Sequence, residues 1–239
     1  MNRFRFYLTL IKLAVTRQLE REYYYLPKLF KTFSNKGSTA VDIGANIGVY
    51  SYLMSSYFKQ VHSFEPINEM YLRCSGLKEN IQVRNIALSD EKCEKTIHVP
   101  IIGNRIIYGL SSLKNTFSES KKYRVNVDKL DNFTDIKSVD FIKIDTEGFE
   151  DKVIKGAQKI ISRDRPVIMI EIEKRHNQES FQYITQNMDG LNYRGFYLSK
   201  KKLKDIISFS FDRYQRTTPA GECIQPYLNN FFFIPREKL

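Results

Sequence analysis

Hydrophobic and polar positions follow two different rhythms along this chain. In residues 4–33 the apolar side chains recur every three or four positions with basic residues around them, which predicts an amphipathic helix that Pro27 should kink or end. After the Lys36–Gly37 break, short apolar runs alternate with helical patterns: TAVDIG, residues 49–58, VHSFEP, residues 67–77 and IQVRNIAL. This alternation indicates βαβ units and a parallel sheet.

The rhythm is interrupted once and then resumes. Residues 90–127 hold short extended pieces, which predict an antiparallel insertion on the substrate side of the domain. The alternation then continues with the strand VDFIKID, a helix through FEDKVIKGAQKIIS, the strand PVIMIEIE, a helix over residues 178–188, a strand near 193–198 and the strand NNFFFIP. Residues 199–225 are polar and basic, and we expect a long loop near the rim of the site.

The length of 239 residues suits one large core. We therefore expect an α/β domain over residues 37–239, with a mostly parallel sheet and helices on both faces. A basic helical arm over residues 1–36 precedes it.

Much of the net charge of +11 lies at the N-terminus. Residues 1–36 carry eight basic and two acidic side chains, a net charge of +6. Such an arm could pack on the body or on a partner subunit, or lie on an anionic membrane. No module that reads nucleic acid is recognisable beside it, so we expect no nucleic-acid partner.

The three cysteines and the N-terminal residues are the features that indicate the cellular compartment. Cys74, Cys93 and Cys223 are odd in number and widely spaced, which argues against a disulfide framework and a zinc site. Lys12 interrupts the first apolar run, and nothing approaches 18 uninterrupted apolar residues. We expect a cytoplasmic protein, with peripheral contact at the inner face of the membrane as the alternative.

The first candidate chemistry lies in VDIGANIGVYS. Asp42 ends a buried strand, and Gly44 and Gly48 bracket a turn around Asn46 before a helix begins, so the backbone can approach a ligand closely. The spacing differs from the dinucleotide fingerprint GxGxxG. Asp42 would repel a pyrophosphate but attract a ligand with an ammonium and a sulfonium group, such as S-adenosylmethionine.

Two further strand ends fit the same nucleoside ligand. Glu65 ends the second strand, where doubly wound folds place an acid that accepts hydrogen bonds from ribose hydroxyls. The backbone from Asn85 to Ala87 would follow the third strand and lie beside an adenine. Helix or turn capping by Asp42, and a solvated strand end at Glu65, are the structural alternatives.

Carboxylates at the fourth and fifth strand ends are the candidates for catalysis. Asp145 ends the fourth strand and should touch the acceptor or the methyl-bearing end of the cofactor. Glu147 could bind the acceptor or serve the entry of the next helix. Of Glu171 and Glu173, we expect Glu171 to face the site. His176 has a suitable pKa for a general base, although a lone histidine can equally be structural.

A metal is the less favoured interpretation of these carboxylates. They could hold Mg²⁺, which would polarise a sugar hydroxyl, but no histidine stands at ligand spacing. We therefore predict no metal ligands.

Seven segments, in this order and spacing, resemble the FkbM family of S-adenosylmethionine-dependent methyltransferases. They are VDIGANIGVYS, HSFEPINEMYLRCSGLKEN, VRNIALSD, the serine pair of YGLSSL, VNVDKLDNF, VDFIKIDTEGFEDKVIKGA and PVIMIEIE. The first is shared by many class I methyltransferases, whereas KIDTEGFE with the following V and GA points to this family. The likeness covers residues 39–173, with a continuation to residue 235.

The resemblance implies a Rossmann-like fold with a seven-stranded sheet and O-methylation of a small hydroxylated acceptor, commonly a sugar in a glycan or a polyketide hydroxyl. It places Asp42, Gly44, Asn46 and Gly48 at the cofactor, Glu65 at its ribose and Asp145 near the reacting methyl. We expect a saccharide acceptor in a bacterial surface glycan or its precursor, and a homo-oligomer is an open expectation. The alternatives are a polyketide or other small-molecule acceptor, a non-catalytic nucleotide-binding scaffold, and a nicotinamide-dependent oxidoreductase.

Overall fold

The computed structural model describes residues 6, 8–9, 21–33, 37–103, 105–108, 119–174, 179–218 and 223–239. The helices are Arg21–Phe33 (α1), Val49–Met54 (α2), Asn68–Cys74 (α3), Glu150–Lys155 (α4), Gln158–Asp164 (α5), Ser180–Gly190 (α6) and Phe211–Tyr214 (α7). The strands are Thr39–Ile43 (β1), Gln60–Phe64 (β2), Ile81–Arg84 (β3), Ala87–Leu88 (β4), Cys93–Ile102 (β5), Arg105–Ile106 (β6), Ser120–Asp128 (β7), Val139–Ile144 (β8), Val167–Glu171 (β9), Tyr193–Ser199 (β10), Lys202–Asp205 (β11) and Asn230–Pro235 (β12). Short 3-10 turns occupy Leu130–Asn132, Ile206–Ser208 and Arg236–Lys238.

The main sheet has eight strands in the order β11-β10-β12-β9-β8-β1-β2-β3. Strands β9, β8, β1, β2 and β3 pair in parallel, while β12, β10 and β11 join as antiparallel strands. The α/β fold is as predicted, but the count of seven strands is wrong by one.

The additional strand, β11, lies within residues 199–225, which were predicted to form a loop. Its side chains alternate between exposed lysines and the half-buried Leu203, as expected for a strand at the edge of a sheet. The run of lysines concealed this alternation from the sequence prediction. Helix α7 also falls within the predicted loop.

Apolar side chains cover both faces of the main sheet. Helices α4, α5 and α6 pack on one face through buried residues such as Val153, Ile160 and Ile184. Helix α1 packs on the other face, where Phe30 stands edge-on to Phe58 and Phe141 with ring centroids 5.1 and 4.9 Å away. This helix continues through Pro27 instead of ending there.

A second, four-stranded sheet of order β4-β7-β5-β6 stands beside the main one. Strands β5 and β7 are antiparallel, from Cys93 opposite Val127 to Pro100 opposite Ser120. Their inner face packs on Ile67 and Met70, at the start of α3. The serine pair of YGLSSL lies outside the described residues.

The helix predicted through FEDKVIKGAQKIIS is two helices, α4 and α5, that meet at Gly156. A Cβ atom at Gly156 would stand 1.9 Å from the carbonyl oxygen of Ser89. The chain therefore bends at Gly156, where it passes the backbone of Ser89 directly after β4. In the part of the chain that the structure describes, no helix combines the length and apolar character that crossing a membrane requires.

Candidate functional site

A cleft opens at the carboxyl ends of the parallel strands, where doubly wound sheets bind their ligands. Its empty volume, counted with the space that is open to solvent, is about 790 Å³. Its walls come from the ends of β1, β2 and β8 and from the second sheet. The lining residues are Ile43, Gly44, Asn46, Phe64, Glu65, Pro66, Met70, Ile86, Ala87, Leu88, Ile97, Tyr108, Asp145, Thr146, Glu147 and Phe149.

The turn after β1 brings its backbone into contact with the end of β8. Gly44 has φ +78°, and a Cβ atom there would lie 1.8 Å from the carbonyl oxygen of Asp145. Only a glycine can therefore occupy this position without moving one of the two strand ends. Asn46 follows with φ +50°, a left-handed conformation that asparagine tolerates.

Glu65 holds this turn and the next one together. Its Oε2 accepts a hydrogen bond from the backbone N–H of Asn46 at 2.7 Å, and its Oε1 accepts one from Ile67 at 2.9 Å. Burial raises the pKa of Glu65 to about 7, although both hydrogen bonds favour the carboxylate. Glu65 thus changes charge near neutral pH at the wall of the cleft.

The acidic side chains give the cleft the electrostatic character of a cation site. Glu65, Asp145 and Glu147 line it together with apolar groups such as Met70 and Leu88. A ligand with an apolar ring system and a positive charge would match both kinds of side chain.

Three of the predicted cofactor residues have other contacts. Asp42 is completely buried on the α2 side, where its Oδ2 accepts a hydrogen bond from Ser51 at 2.5 Å. Gly48 has φ +86° and packs against the end of α3, where a Cβ atom would lie 2.7 Å from Sγ of Cys74. Asn85 donates hydrogen bonds to the carbonyl oxygens of Glu65 and Pro66 at 2.8 and 2.9 Å, so it anchors the Glu65 turn.

A buried lysine that we did not select from the sequence connects the site to the core. Lys143 is 3% exposed, and its Nζ lies 3.0 Å from Oδ2 of Asp145 and 4.6 Å from the ring centroid of Tyr50. It also lies beside Asp42 in the β1–β8 register. Burial raises the pKa of Asp42, whereas the Lys143 charge acts in the opposite direction. A lysine inside the apolar run FIKI was the signal that could have revealed it.

The turn after β8 separates two roles that the sequence left open for Glu147. Glu147 adopts φ +55° and lines the cleft. The carboxylate that organises the helix entry belongs to Glu150, whose Oε1 accepts three hydrogen bonds at 3.0 Å, from the N–H and hydroxyl of Thr146 and the N–H of Gly148. Glu150 is buried, and burial raises its pKa. We missed this residue, although it stands in the KIDTEGFE segment.

Replacing Glu150 should show whether its hydrogen bonds or its charge stabilise the turn after β8. Because all three bonds end on one oxygen, Glu150→Gln can keep them, whereas Glu150→Ala leaves the buried N–H of Gly148 unpaired. We expect Glu150→Ala to lower the free energy of unfolding by about 1–3 kcal/mol and Glu150→Gln to lower it much less. Urea unfolding of both variants measures this, and equal losses would show that the turn does not depend on these bonds.

The fifth strand end carries two carboxylates that share one partner. Asn229 donates hydrogen bonds to Glu171 and to Glu173, the latter at 3.0 Å. Glu173 is buried and Glu171 is half-buried. Asp145, at the neighbouring strand end, pairs with Lys143. His176 lies outside the described residues.

Among the residues that the structure describes, His, Cys, Asp and Glu side chains form no group of three or more that could hold a metal ion. Whether the activity needs a divalent ion is therefore a question for a chelator experiment.

Comparisons with known proteins agree with this architecture. The family model described as "Methyltransferase FkbM domain" matches residues 42–195, more than half of the chain. No curated protein sequence matches significantly.

Two solved structures illustrate the likeness of the folds. Methyltransferase FkbM from Methylobacillus flagellatus KT has a TM-score of 0.53 and 16% identity, covering 82% of this chain and 43% of that chain. A Streptococcus mutans protein described as a methyltransferase, in complex with SAH, has a TM-score of 0.50 and 10% identity, covering 90% of this chain and 98% of that chain. At these identities the likeness shows a Rossmann-like methyltransferase fold, and this chain spans less than half the length of the first structure.

Proposed function

Because the chain belongs to the FkbM methyltransferase family, we propose that it is an S-adenosylmethionine-dependent O-methyltransferase that methylates a hydroxyl of a saccharide in a bacterial surface glycan or its precursor. The observation that carries the proposal is the cleft at the carboxyl ends of the parallel strands, which Glu65, Asp145 and Glu147 line together with apolar side chains. The family resemblance supports O-methylation, and the basic surface supports an anionic glycan as the acceptor.

The described residues fit S-adenosylmethionine. Glu65 can accept hydrogen bonds from ribose hydroxyls, and the apolar residues from Ile86 to Leu88 can pack against the adenine. Gly44 lines the cleft without a Cβ atom, so the backbone of this turn can lie close to the methionine part. The Streptococcus mutans neighbour was solved with SAH, the product of this cofactor, which supports the same assignment.

The bound cofactor supplies an electrophilic methyl group, and the residues of this chain have to place and deprotonate the acceptor. We assign Asp145, held by Lys143, to fixing the positive end of the cofactor and the acceptor hydroxyl. We assign Glu147 to taking the hydroxyl proton, because it faces the cleft two residues further along the same turn. Glu171 and, from the sequence alone, His176 are further candidates for contact with the acceptor.

Mass spectrometry of cell-surface glycans tests the proposed reaction. Cells that lack the gene should lose a methyl group from one sugar, and a plasmid copy should restore it. A plasmid copy with Glu147→Gln should restore at most about one hundredth of the rate of methylation, since general base catalysis contributes about 10²–10⁴-fold. Glycans with unchanged methylation in the deletion strain would contradict the saccharide assignment.

A further inference from the structure

The turn between β10 and β11 has an unusual composition. Lys200 and Lys201 form a two-residue hairpin loop with φ +50° and +63°. Loops of this kind favour Asn-Gly, because in the left-handed region Cβ stands too close to the following carbonyl oxygen, which glycine avoids and asparagine offsets by local hydrogen bonds. Strain of this kind is often retained where the side chains serve a function.

The direction of the strands places this turn at the same edge of the sheet as the cleft. Strand β9 ends at Glu171, which pairs with Asn230 at the start of the antiparallel β12. Strand β10 is antiparallel to β12 and pairs Tyr197 with Phe231, so it ends at the cleft edge. Three strand spacings separate β8 from β10, a distance of about 14 Å.

The positive charges at this turn are not neutralised within the described part of the chain. Lys200, Lys201 and the adjacent Lys202 are exposed, and none of them forms an ion pair with a described residue. Asp205, the acid of β11, pairs with Arg194 at 2.7 Å, towards the opposite edge of the sheet.

A further basic residue, Arg216, follows a side chain that is hydrogen-bonded to the end of β9. The side chain of Gln215 accepts a hydrogen bond from the N–H of Lys174 at 2.8 Å and donates to the carbonyl oxygens of Ile172 and Leu228. The exposed Arg216 follows directly. The acids at this strand end, Glu171 and Glu173, are hydrogen-bonded to Asn229.

Resting on the proposed function, we infer that Lys200 and Lys201 bind a phosphate or pyrophosphate group carried by the saccharide acceptor. The cofactor occupies the side of the edge formed by β1, β2 and β8, and the acceptor extends across β9, β12 and β10 towards the lysine turn. A sugar linked to a pyrophosphate spans such a distance. The group could belong to a nucleotide-activated or to a lipid-linked sugar.

The double variant Lys200→Asn/Lys201→Gly should have opposite effects on stability and on binding. It introduces the preferred turn sequence and removes two charges, so we expect the melting temperature to rise by about 2–4 °C. We expect its affinity for inorganic pyrophosphate to fall about tenfold at low ionic strength. The matched control is Lys59→Ser/Lys137→Ser, which removes two exposed lysines at the starts of β2 and β8, on the opposite edge.

Calorimetry with inorganic pyrophosphate on protein saturated with SAH is the measurement. Weaker binding in the turn variant but not in the control supports the inference, and equal binding in both overturns it. SAH binding to the same samples is measured first: its absence would count against the proposed function, whereas normal SAH binding with unchanged pyrophosphate binding defeats this inference alone. UDP-glucose and an isoprenyl pyrophosphate in detergent micelles, titrated next, distinguish the nucleotide from the lipid source by which binds more tightly.

Discussion

Replacing Glu65 by glutamine should weaken the binding of SAH by about 10–100-fold. A hydrogen bond to a charged group contributes about 1.5–3 kcal/mol, and the carboxylate of Glu65 lines the cleft where ribose hydroxyls would lie. Glutamine also presents an NH₂ group to one of the backbone N–H donors of Asn46 and Ile67. The exposed Glu79, changed to glutamine, is the control and should bind SAH normally.

The same residue predicts a dependence of binding on pH. Burial raises the pKa of Glu65 to about 7, so the unliganded protein holds a proton there below neutral pH. Ribose hydroxyls bind the carboxylate better, and SAH affinity should therefore rise about tenfold from pH 6 to pH 8. In Glu65→Gln this rise should disappear. A rise of equal size in that variant would assign the titration to another group.

Replacing Lys143 by methionine should lower the free energy of unfolding by about 3 kcal/mol. The substitution keeps much of the volume but leaves the buried Asp42 and the half-buried Asp145 without their cation. Urea unfolding measures the loss, and Lys137→Met, at an exposed site, should change it by less than about 0.5 kcal/mol.

A second change tests whether the loss arises from the uncompensated charge. Asp42→Asn added to Lys143→Met removes the buried carboxylate and should recover at least about 1 kcal/mol. If the double variant is as unstable as the sum of its single variants, the two side chains do not interact and the role given to Lys143 is wrong.

The alternation of strands and helices was readable from the sequence because parallel strands are buried on both faces and form nearly continuous apolar runs. TAVDI, VHSF and VDFIKI are such runs, and each ends close to the cleft. The α/β fold with its mostly parallel sheet followed from them, whereas the family followed from the resemblance of segments such as KIDTEGFE. Strand β11 was not predicted, because the sequence of an edge strand with lysines at its outer positions resembles that of a solvated loop.

Individual site contacts were harder to predict, because they depend on where each side chain points. Asp42 and Ile43 are neighbours, yet Asp42 lies in the core beside Ser51 while Ile43 lines the cleft. Glu147 and Glu150 belong to one segment, and only the turn geometry shows that Glu150 receives the three hydrogen bonds. Lys143 gained its importance from its position between two carboxylates of neighbouring strands.

The decisive measurement is a calorimetric titration of the purified chain with S-adenosylmethionine, with NAD as the comparison ligand. We expect saturable binding of S-adenosylmethionine at one site per chain, displaced by SAH, and no saturable binding of NAD. Tight binding of NAD together with no measurable binding of S-adenosylmethionine would contradict it.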